Sequence, residues 1–426
     1  MASPYRTLHG VLRGGAVLLV ALSALTLLRG PTRLPAQTAP AVPDVTFDGE
    51  IRQRGEWDAR TAEEGDDAAV LSRVRLGALV SWEDWLRAYA QVQDSRAWGE
   101  ETNTLTDASA DRLDLHQGWV EIGREDGPRV RLGRQRVILA DERLVGAVGW
   151  TNTGRVFDGV RVRGAGGGFD WSAFWFNVGE RDALVATGLD PQGNEGEDED
   201  GWLAGGFAAR TFGPVTAELT ALVDRNAVTD ESWTVNLRLH GRRAPFLYEG
   251  AGAVQLGPDR EAWFLSGRAG VTAGRGTFSA QVDVLSGDET PGAGDDEAFN
   301  TLYATNHKFY GYMDLLLDIP GQLDRAGLID GILRASLDTG RATTVRLDLH
   351  RFWTAEERLA RRSLGTELDV VGTWRPAAPL RLEGGIGLFA PEELASGLLP
   401  AFAADDDVVY WGYLQMTLAW PGGRGS

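Results

Sequence analysis

Apolar and charged residues alternate one for one through much of this chain, and the charged face carries both signs. Val160 and Val162 are interleaved with Arg161 and Arg163. Phe47, Gly49 and Ile51 oppose Asp48, Glu50, Arg52 and Arg54, while Val74, Leu76 and Val80 oppose Arg73 and Arg75. The pattern returns where Arg346, Asp348 and His350 share a face, and where Arg381 and Glu383 do. Successive side chains on a strand point to opposite faces, so a period of two marks a strand with one apolar face. A soluble sandwich would also alternate. Guanidinium and carboxylate groups side by side on one face suit a hydrated lumen better, with the other face turned to lipid. Trp57, Trp82, Trp85, Trp374 and Trp420 fall near strand ends, where the aromatic girdles of a membrane barrel belong. The predicted fold class is all-β, a transmembrane antiparallel β-barrel.

Link lengths set the strand number. Tight links are read at Glu83-Asp84, Asp126-Gly127-Pro128, Gly166–Gly168, Gly213-Pro214 and Arg243-Ala244-Pro245. Others are Ala273–Gly276, Thr339-Gly340-Arg341 and Pro376–Pro379. Longer polar links alternate with them, as short periplasmic turns and long extracellular loops should. Counting every strand-like segment gives about nineteen, whereas bacterial single-chain barrels are even-numbered. The alternation is kept if Phe309–Leu317 belongs to one long outer loop, Ser286–Gly327. About eighteen wall strands are then expected, wide enough for an aqueous channel. The same parity makes Ile138–Gly154 an outer loop able to fold back toward the pore. The closing face Tyr410, Gly412, Leu414, Met416, Leu418 and Trp420 resembles the assembly signal of bacterial outer-membrane barrels. It predicts the barrel-assembly machinery and outer-membrane lipid as partners, and the cell outer membrane as the location.

The ends of the chain read differently. Arg6 and Arg13 precede an uncharged run, Gly14–Leu28, and Leu34-Pro35-Ala36 precedes Gln37. That is a charged n-region, an apolar h-region and a cleavage site, too short for a spanning helix. Residues 1–36 are predicted to be a secretory signal peptide, 37–44 a linker, 45–420 the barrel and 421–426 a tail. The whole chain carries a net charge of -19 and no cysteine. The first argues against nucleic acid as a partner; the second removes disulfides, thiolate metal sites and cysteine nucleophiles. The histidines are scattered, no nucleophile–base pair stands out and no phosphate loop is present. No metal, no cofactor and no enzymatic activity are expected. The acid gathers in Glu63–Asp67, Glu195–Asp200, Asp288–Glu297 and Asp405–Asp407, between strand-like segments, where it reads as solvated loop.

The segment Gly133–Arg163 (GRQRVILADERLVGAVGWTNTGRVFDGVRVR) carries a family likeness. Its Asp141, Arg143-Leu144, Gly146, Trp150, Asn152, Gly154-Arg155 and Phe157-Asp158-Gly159 resemble the alginate export family. Thr301–Asp314 (TLYATNHKFYGYMD) is similar to that family's Asn-His-Lys-Phe-Tyr-Gly block, and Gly365–Asp369, Phe389-Ala390-Pro391 and Tyr413-Leu414-Gln415 to its C-terminal end. The resemblance implies a monomeric eighteen-stranded barrel that passes a polyuronate passively, aided by periplasmic export components, through a pore lined by arginine. A guanidinium matches a carboxylate bidentately where an ammonium does not, and Lys308 is the only lysine. The resemblance makes Arg134, Arg143, Arg155 and Arg161 candidate constriction residues, with Asp141 and Asp158 orienting them and Trp150 and Asn152 supporting. Asn306, His307 and Lys308 are candidates in a loop turned to the lumen. Strand parity adds the inward wall arginines Arg52, Arg54, Arg73, Arg75, Arg131, Arg163, Arg346 and Arg381. For each, the plain alternative is a charge-paired lumen residue of structural value.

Parity also places Asp48, Glu50, Glu218, Asp283, Asp348, Glu367, Asp369 and Glu383 inside, so the lumen is of mixed charge. Two other functions therefore stay open: a general porin or uptake channel for small anionic or neutral solutes, and a barrel that displays adhesive or enzymatic loops.

Overall fold

In the computed structural model, eighteen antiparallel strands form one sheet that closes on itself. The structure describes residues 42–60, 67–98, 113–179, 201–225, 231–399 and 407–420. The predicted signal peptide, the tail 421–426, and the acidic runs at 63–66 and 195–200 lie outside the described residues. The strands are β1 (Asp44–Ala59), β2 (Asp67–Trp82), β3 (Leu86–Trp98), β4 (Asp114–Ile122), β5 (Arg129–Gln135) and β6 (Phe157–Gly166). Then come β7 (Phe169–Gly179), β8 (Gly201–Phe212), β9 (Val215–Arg225), β10 (Ser232–Arg243), β11 (Phe246–Gly257) and β12 (Arg260–Ala273). The ring is completed by β13 (Gly276–Leu285), β14 (Leu328–Gly340), β15 (Thr343–Arg358), β16 (Arg361–Ala377), β17 (Leu380–Pro391) and β18 (Val409–Trp420). Each strand pairs with its neighbours in sequence, and β1 meets β18 from Gly49↔Trp420 to Ala59↔Tyr410. Closure satisfies the backbone groups that an open edge would strand in lipid.

Phe309–Leu317 is not a wall strand, as the link parity requires. It lies in the 286–327 connection between β13 and β14, after a 3-10 turn (Asn306–Lys308) and before a one-turn helix α1 (Ile319–Gln322). A second short helix, α2 (Glu393–Leu398), follows β17. One end of the barrel carries only tight turns. The other is less uniform than expected, because β11–β12 and β15–β16 also turn tightly there. The 286–327 connection covers both corners. Its Asp296 pairs with Arg260 at 2.7 Å, and its Asp324 with Arg358 at 3.1 Å. Long loops at those corners would have no room.

Outward positions are apolar and bare: Leu237, Leu265, Val282, Leu333 and Ile386 all stand exposed, and Leu414 is 62% exposed. In a soluble protein so continuous a belt would be a liability; against lipid it is the favoured surface. Exposed Trp57, Trp98, Trp233 and Trp263 ring the loop end, and Trp82, Phe169, Phe212, Phe246, Trp374 and Trp420 ring the turn end. Inward positions differ between the two ends. Toward the tight turns they are polar, but toward the loops they include Phe174, Phe176, Leu203, Leu222, Phe264, Phe352 and Phe389, all buried. A wholly hydrated lumen was the expectation, and the loop end overturns it. Those side chains form the outer layer of an apolar core whose inner layer comes from the loops.

Candidate channel and its plug

Two connections fold into the loop end of the barrel. The first links β5 to β6 and the second is the 286–327 segment. They are zipped together by Gly146 N–H to Tyr303 O at 2.8 Å, Tyr303 N–H to Leu144 O at 2.9 Å and Thr305 N–H to Glu142 O at 3.0 Å. Val137, Leu139, Leu144 and Val145 from the first, with Phe299, Tyr310, Met313, Leu315 and Leu316 from the second, pack on the inward aromatic wall. Burial of this apolar surface is what holds a loop inside a pore.

Polar anchors fix the plug in register. Four wall arginines on β1 and β2 reach the tip of the first loop and donate to its carbonyls. Arg52 Nη1 meets Gly149 O and Trp150 O at 3.0 Å each, and its Nη2 meets Thr151 O at 2.9 Å. Arg54 Nη1 meets Trp150 O at 2.9 Å, Arg73 Nη1 meets Thr151 O at 2.9 Å and Arg75 Nη2 meets Thr153 O at 2.9 Å. Asn152 accepts from Arg52 at 3.2 Å and donates to Ser72 O at 3.3 Å. These groups were expected to face cargo. They bind the chain's own backbone instead, because the 149–153 turn brings a run of carbonyl oxygens to the inner wall.

Arg143 is enclosed. Its Nη1 lies 2.7 Å from Asp283 Oδ2 on β13, its Nε 3.4 Å from Asp141, and its guanidinium 4.2 Å from the Phe309 ring centre. Burial alone would lower its pKa, but Asp283, Tyr310 and Asp141 outweigh it and hold the guanidinium above its ordinary value. Arg143 is a buried anchor, not a constriction residue. Asp141 also faces Arg238 of β10 at 3.4 Å. Arg155 Nη1 donates to Tyr303 O and to Ala304 O, tying one loop to the other.

The second loop supplies the rest. Trp150 stacks on His307 with ring centres 4.0 Å apart, lies 4.1 Å from the Arg54 guanidinium and donates Nε1–H to Asp314 at 3.0 Å. His307 Nδ1 is 2.6 Å from Asp314. Asn306 is buried, its amide donating to Thr301 Oγ1 and Leu317 O, so it braces the loop rather than facing the lumen. Lys308 Nζ meets Glu142 at 2.8 Å. Burial pushes the Glu142 carboxyl up, but Lys308, Thr305 and the Ala147 N–H together hold it below its ordinary value. On the wall, Glu367 and Asp369 of β16 accept the Met313 and Tyr312 N–H groups at 3.0 and 3.4 Å.

Below the plug, toward the tight turns, the inward wall carries Arg131, Arg161, Arg163, Arg346 and Arg381. Arg131 and Arg163 share Glu121 at 2.9 and 3.0 Å. Arg346 is held by Asp348, with Nη1 3.3 Å from the Tyr312 hydroxyl, and Arg381 pairs with Glu383. Arg134 and Asp158 require a correction. They pair with each other at 2.9 Å, but opposite Gly118 and Asn177 on the outside of the wall. Gln135 and Phe157, the next register pair, point in and are buried, so parity turns Arg134 and Asp158 out.

Comparison with known proteins bears on this architecture. The family model described as Alginate export matches residues 44–177 and 219–393, which take in both plug loops and the wall strands other than β8, β18 and the ends of β7 and β9. The chain belongs to the Alginate export family. The search of curated proteins gave no match. Among solved structures, Acinetobacter baumannii OccAB1 is similar at 11% identity and TM-score 0.61, covering 92% of this chain and 100% of that one. A BenF-like porin from Pseudomonas fluorescens Pf-5 gives 12% and 0.61, over 88% and 98%. Pseudomonas aeruginosa OccK5 (OpdH) gives 13% and 0.60, over 89% and 99%. At these identities the likeness is one of fold. Family and closed barrel together identify an outer-membrane channel.

Several residues that matter here were not singled out from the sequence of this Alginate export family member. Glu121, Glu142, Tyr310 and Asp314 are partners of the predicted cations, and Arg238, Arg268 and Arg334 join the inward wall. One signal was available. Ala173–Phe176, Ala262–Leu265 and Gly387–Ala390 are apolar on both faces, which marks where a wall meets lipid outside and a plug inside.

Proposed function

We propose that this barrel is a passive channel for an anionic polysaccharide of the alginate-like polyuronate class, working as a monomer with arginines as its contact groups. The observation that most supports it is the distribution of guanidiniums between the plug and the tight turns. Arg131, Arg161 and Arg163 stand on β5 and β6, and Arg268, Arg334 and Arg346 on β12, β14 and β15, so carboxylates meet them from several sides. Most are also held by an internal acid: Glu121 serves Arg131 and Arg163, and Asp348 serves Arg334 at 2.9 Å. That competition favours transport, since a polyanion must find binding favourable enough to enter and weak enough to leave. A mixed lumen is therefore compatible with a polyuronate cargo.

Arg268 is the sharpest test. Its Nε donates to Ser279 Oγ at 3.2 Å, and no carboxylate lies within salt-bridge distance among the described residues. In planar bilayers, polymannuronate should reduce the ionic current of the purified barrel, and Arg268→Glu should move the reversal potential toward cation selectivity. If polymannuronate leaves the current unaltered while small anions pass, the barrel serves small solutes and the polyuronate reading is lost.

A further inference from the structure

The lipid-facing side of the wall is not smooth. Between β11 and β15 it is hollowed into a groove of about 590 Å³. The register accounts for the shape. Ala269 stands opposite Ala280, and Phe278 opposite Ala335, so three outward methyl groups form the floor. Phe246, Phe278, Leu333 and Leu347, all exposed, stand around it. The turn-end mouth of this apolar groove is basic. Arg243 is the register partner of Phe246 and shares its outward face. Arg275 lies in the turn from β12 to β13, its Nη1 3.3 Å from Thr339 O, and Arg341 lies in the next turn. All three are exposed, and among the described residues none has a carboxylate within salt-bridge distance. The acid nearest in sequence, Asp338, accepts from the Gly340 N–H at 2.8 Å. The turns of β2 to β5 differ, for there Arg124 meets Asp84 at 2.7 Å and Arg87 meets Glu125 at 2.6 Å.

We infer that the groove holds an acyl chain of a glycerophospholipid whose anionic headgroup is bound by Arg243 and Arg275. Phe246 belongs to the turn-end aromatic girdle, so guanidiniums beside and just beyond it stand at the depth of lipid headgroups. An apolar channel with a cationic mouth matches an amphiphile with one negative end, and a guanidinium fork matches a phosphate. A second copy of this chain fits worse. A two-fold contact sets the same patch against itself, which would bring the three guanidiniums against their own counterparts. The inference needs only a barrel in a membrane and does not depend on what passes through the lumen.

The experiment is native mass spectrometry of the intact barrel released from nanodiscs of phosphatidylglycerol and phosphatidylethanolamine in equal amounts. Retained phosphatidylglycerol is expected in preference to phosphatidylethanolamine. At roughly fivefold per guanidinium, the double variant Arg243→Gln with Arg275→Gln should lower that preference about thirtyfold. Ala280→Phe fills the groove and should reduce retention of both lipids, whereas Arg124→Gln should change neither property. Heat-modifiable migration on gels verifies that each variant is folded. No retained lipid, no preference between the two, or an equal loss in Arg124→Gln overturns the site. An unaltered preference in the folded double variant removes the arginines from it, and unaltered retention in folded Ala280→Phe removes the groove. A dimer released in place of a lipid-bound monomer makes a second copy the occupant and overturns the lipid assignment. The double variant should also keep its reversal potential in planar bilayers. A shift toward cation selectivity would place Arg243 and Arg275 at the pore mouth instead, against the inference but not against the channel reading.

Discussion

Arg143→Met isolates what holds the first loop inside the barrel. The substitution keeps much of the volume beside Phe264 and Phe309 and removes the charge that answers Asp283, which is fully buried. Removing one member of a buried pair costs about 3–5 kcal/mol, because the other charge is left without compensation. Asp283 keeps Ser266 Oγ at 2.6 Å and Gln281 Nε2 at 2.9 Å, which puts the cost near the low end of that range. At about 1.4 kcal/mol per decade, 3 kcal/mol shifts the docked-to-released ratio of the loop roughly a hundredfold. The wall strands keep their pairing, so the barrel should still show heat-modifiable migration. Single-channel recordings should show larger or noisier conductance, and limited proteolysis should cut within 136–156. Asp283→Asn in the same chain removes the stranded charge, so the double variant should be less perturbed than the sum of the singles. Unchanged current and proteolysis in Arg143→Met, or strict additivity in the double variant, would refute the anchoring argument.

Three further perturbations test other parts of the plug. The Glu142 carboxyl is depressed in the folded loop, so the stability it adds is complete above its ordinary value of 4.5 and is lost as pH falls through the lower folded value. Channel noise should therefore be flat across the neutral range and rise only in acid, and Glu142→Gln should abolish that acid dependence. Trp150→Ala removes the His307 stack and the Arg54 contact; a loss of about 1–3 kcal/mol in loop docking is expected, read as faster proteolysis of both loops. Gly311 has φ +95°, and a side chain there would meet the Glu367 carboxylate. Gly311→Ala should cost about 1–3 kcal/mol in strain and loosen the Met313 contact with Glu367, visible as altered conductance in a barrel that still folds.

Strand existence, the even strand number and the inward or outward sense of most wall residues are local properties. A period of two is written into neighbouring residues, so Arg161 and Arg163 could be assigned to the lumen before any partner was known. The same rule, applied one pair further along, turns Arg134 and Asp158 outward. They were grouped with the pore because the family likeness spans them, and that likeness carries no parity. The demotion of Phe309–Leu317 from wall to loop was also legible, because a ring that is antiparallel throughout demands an even count.

Which charge meets which could not be read in the same way. Arg52 meets carbonyls about a hundred positions later in the chain, and Arg143 meets Asp283 from another loop's flanking strand. Such contacts depend on where two long connections land when they return into the barrel. The sequence by itself determined a lipid-facing wall with a charged interior. The tertiary structure decided that the loop-end half of that interior is an apolar plug braced by arginines, and that the remaining arginines gather near the tight turns. The physical reason is that side-chain direction on a strand follows from adjacent backbone geometry, whereas neutralisation of a buried charge requires partners that only folding brings within reach.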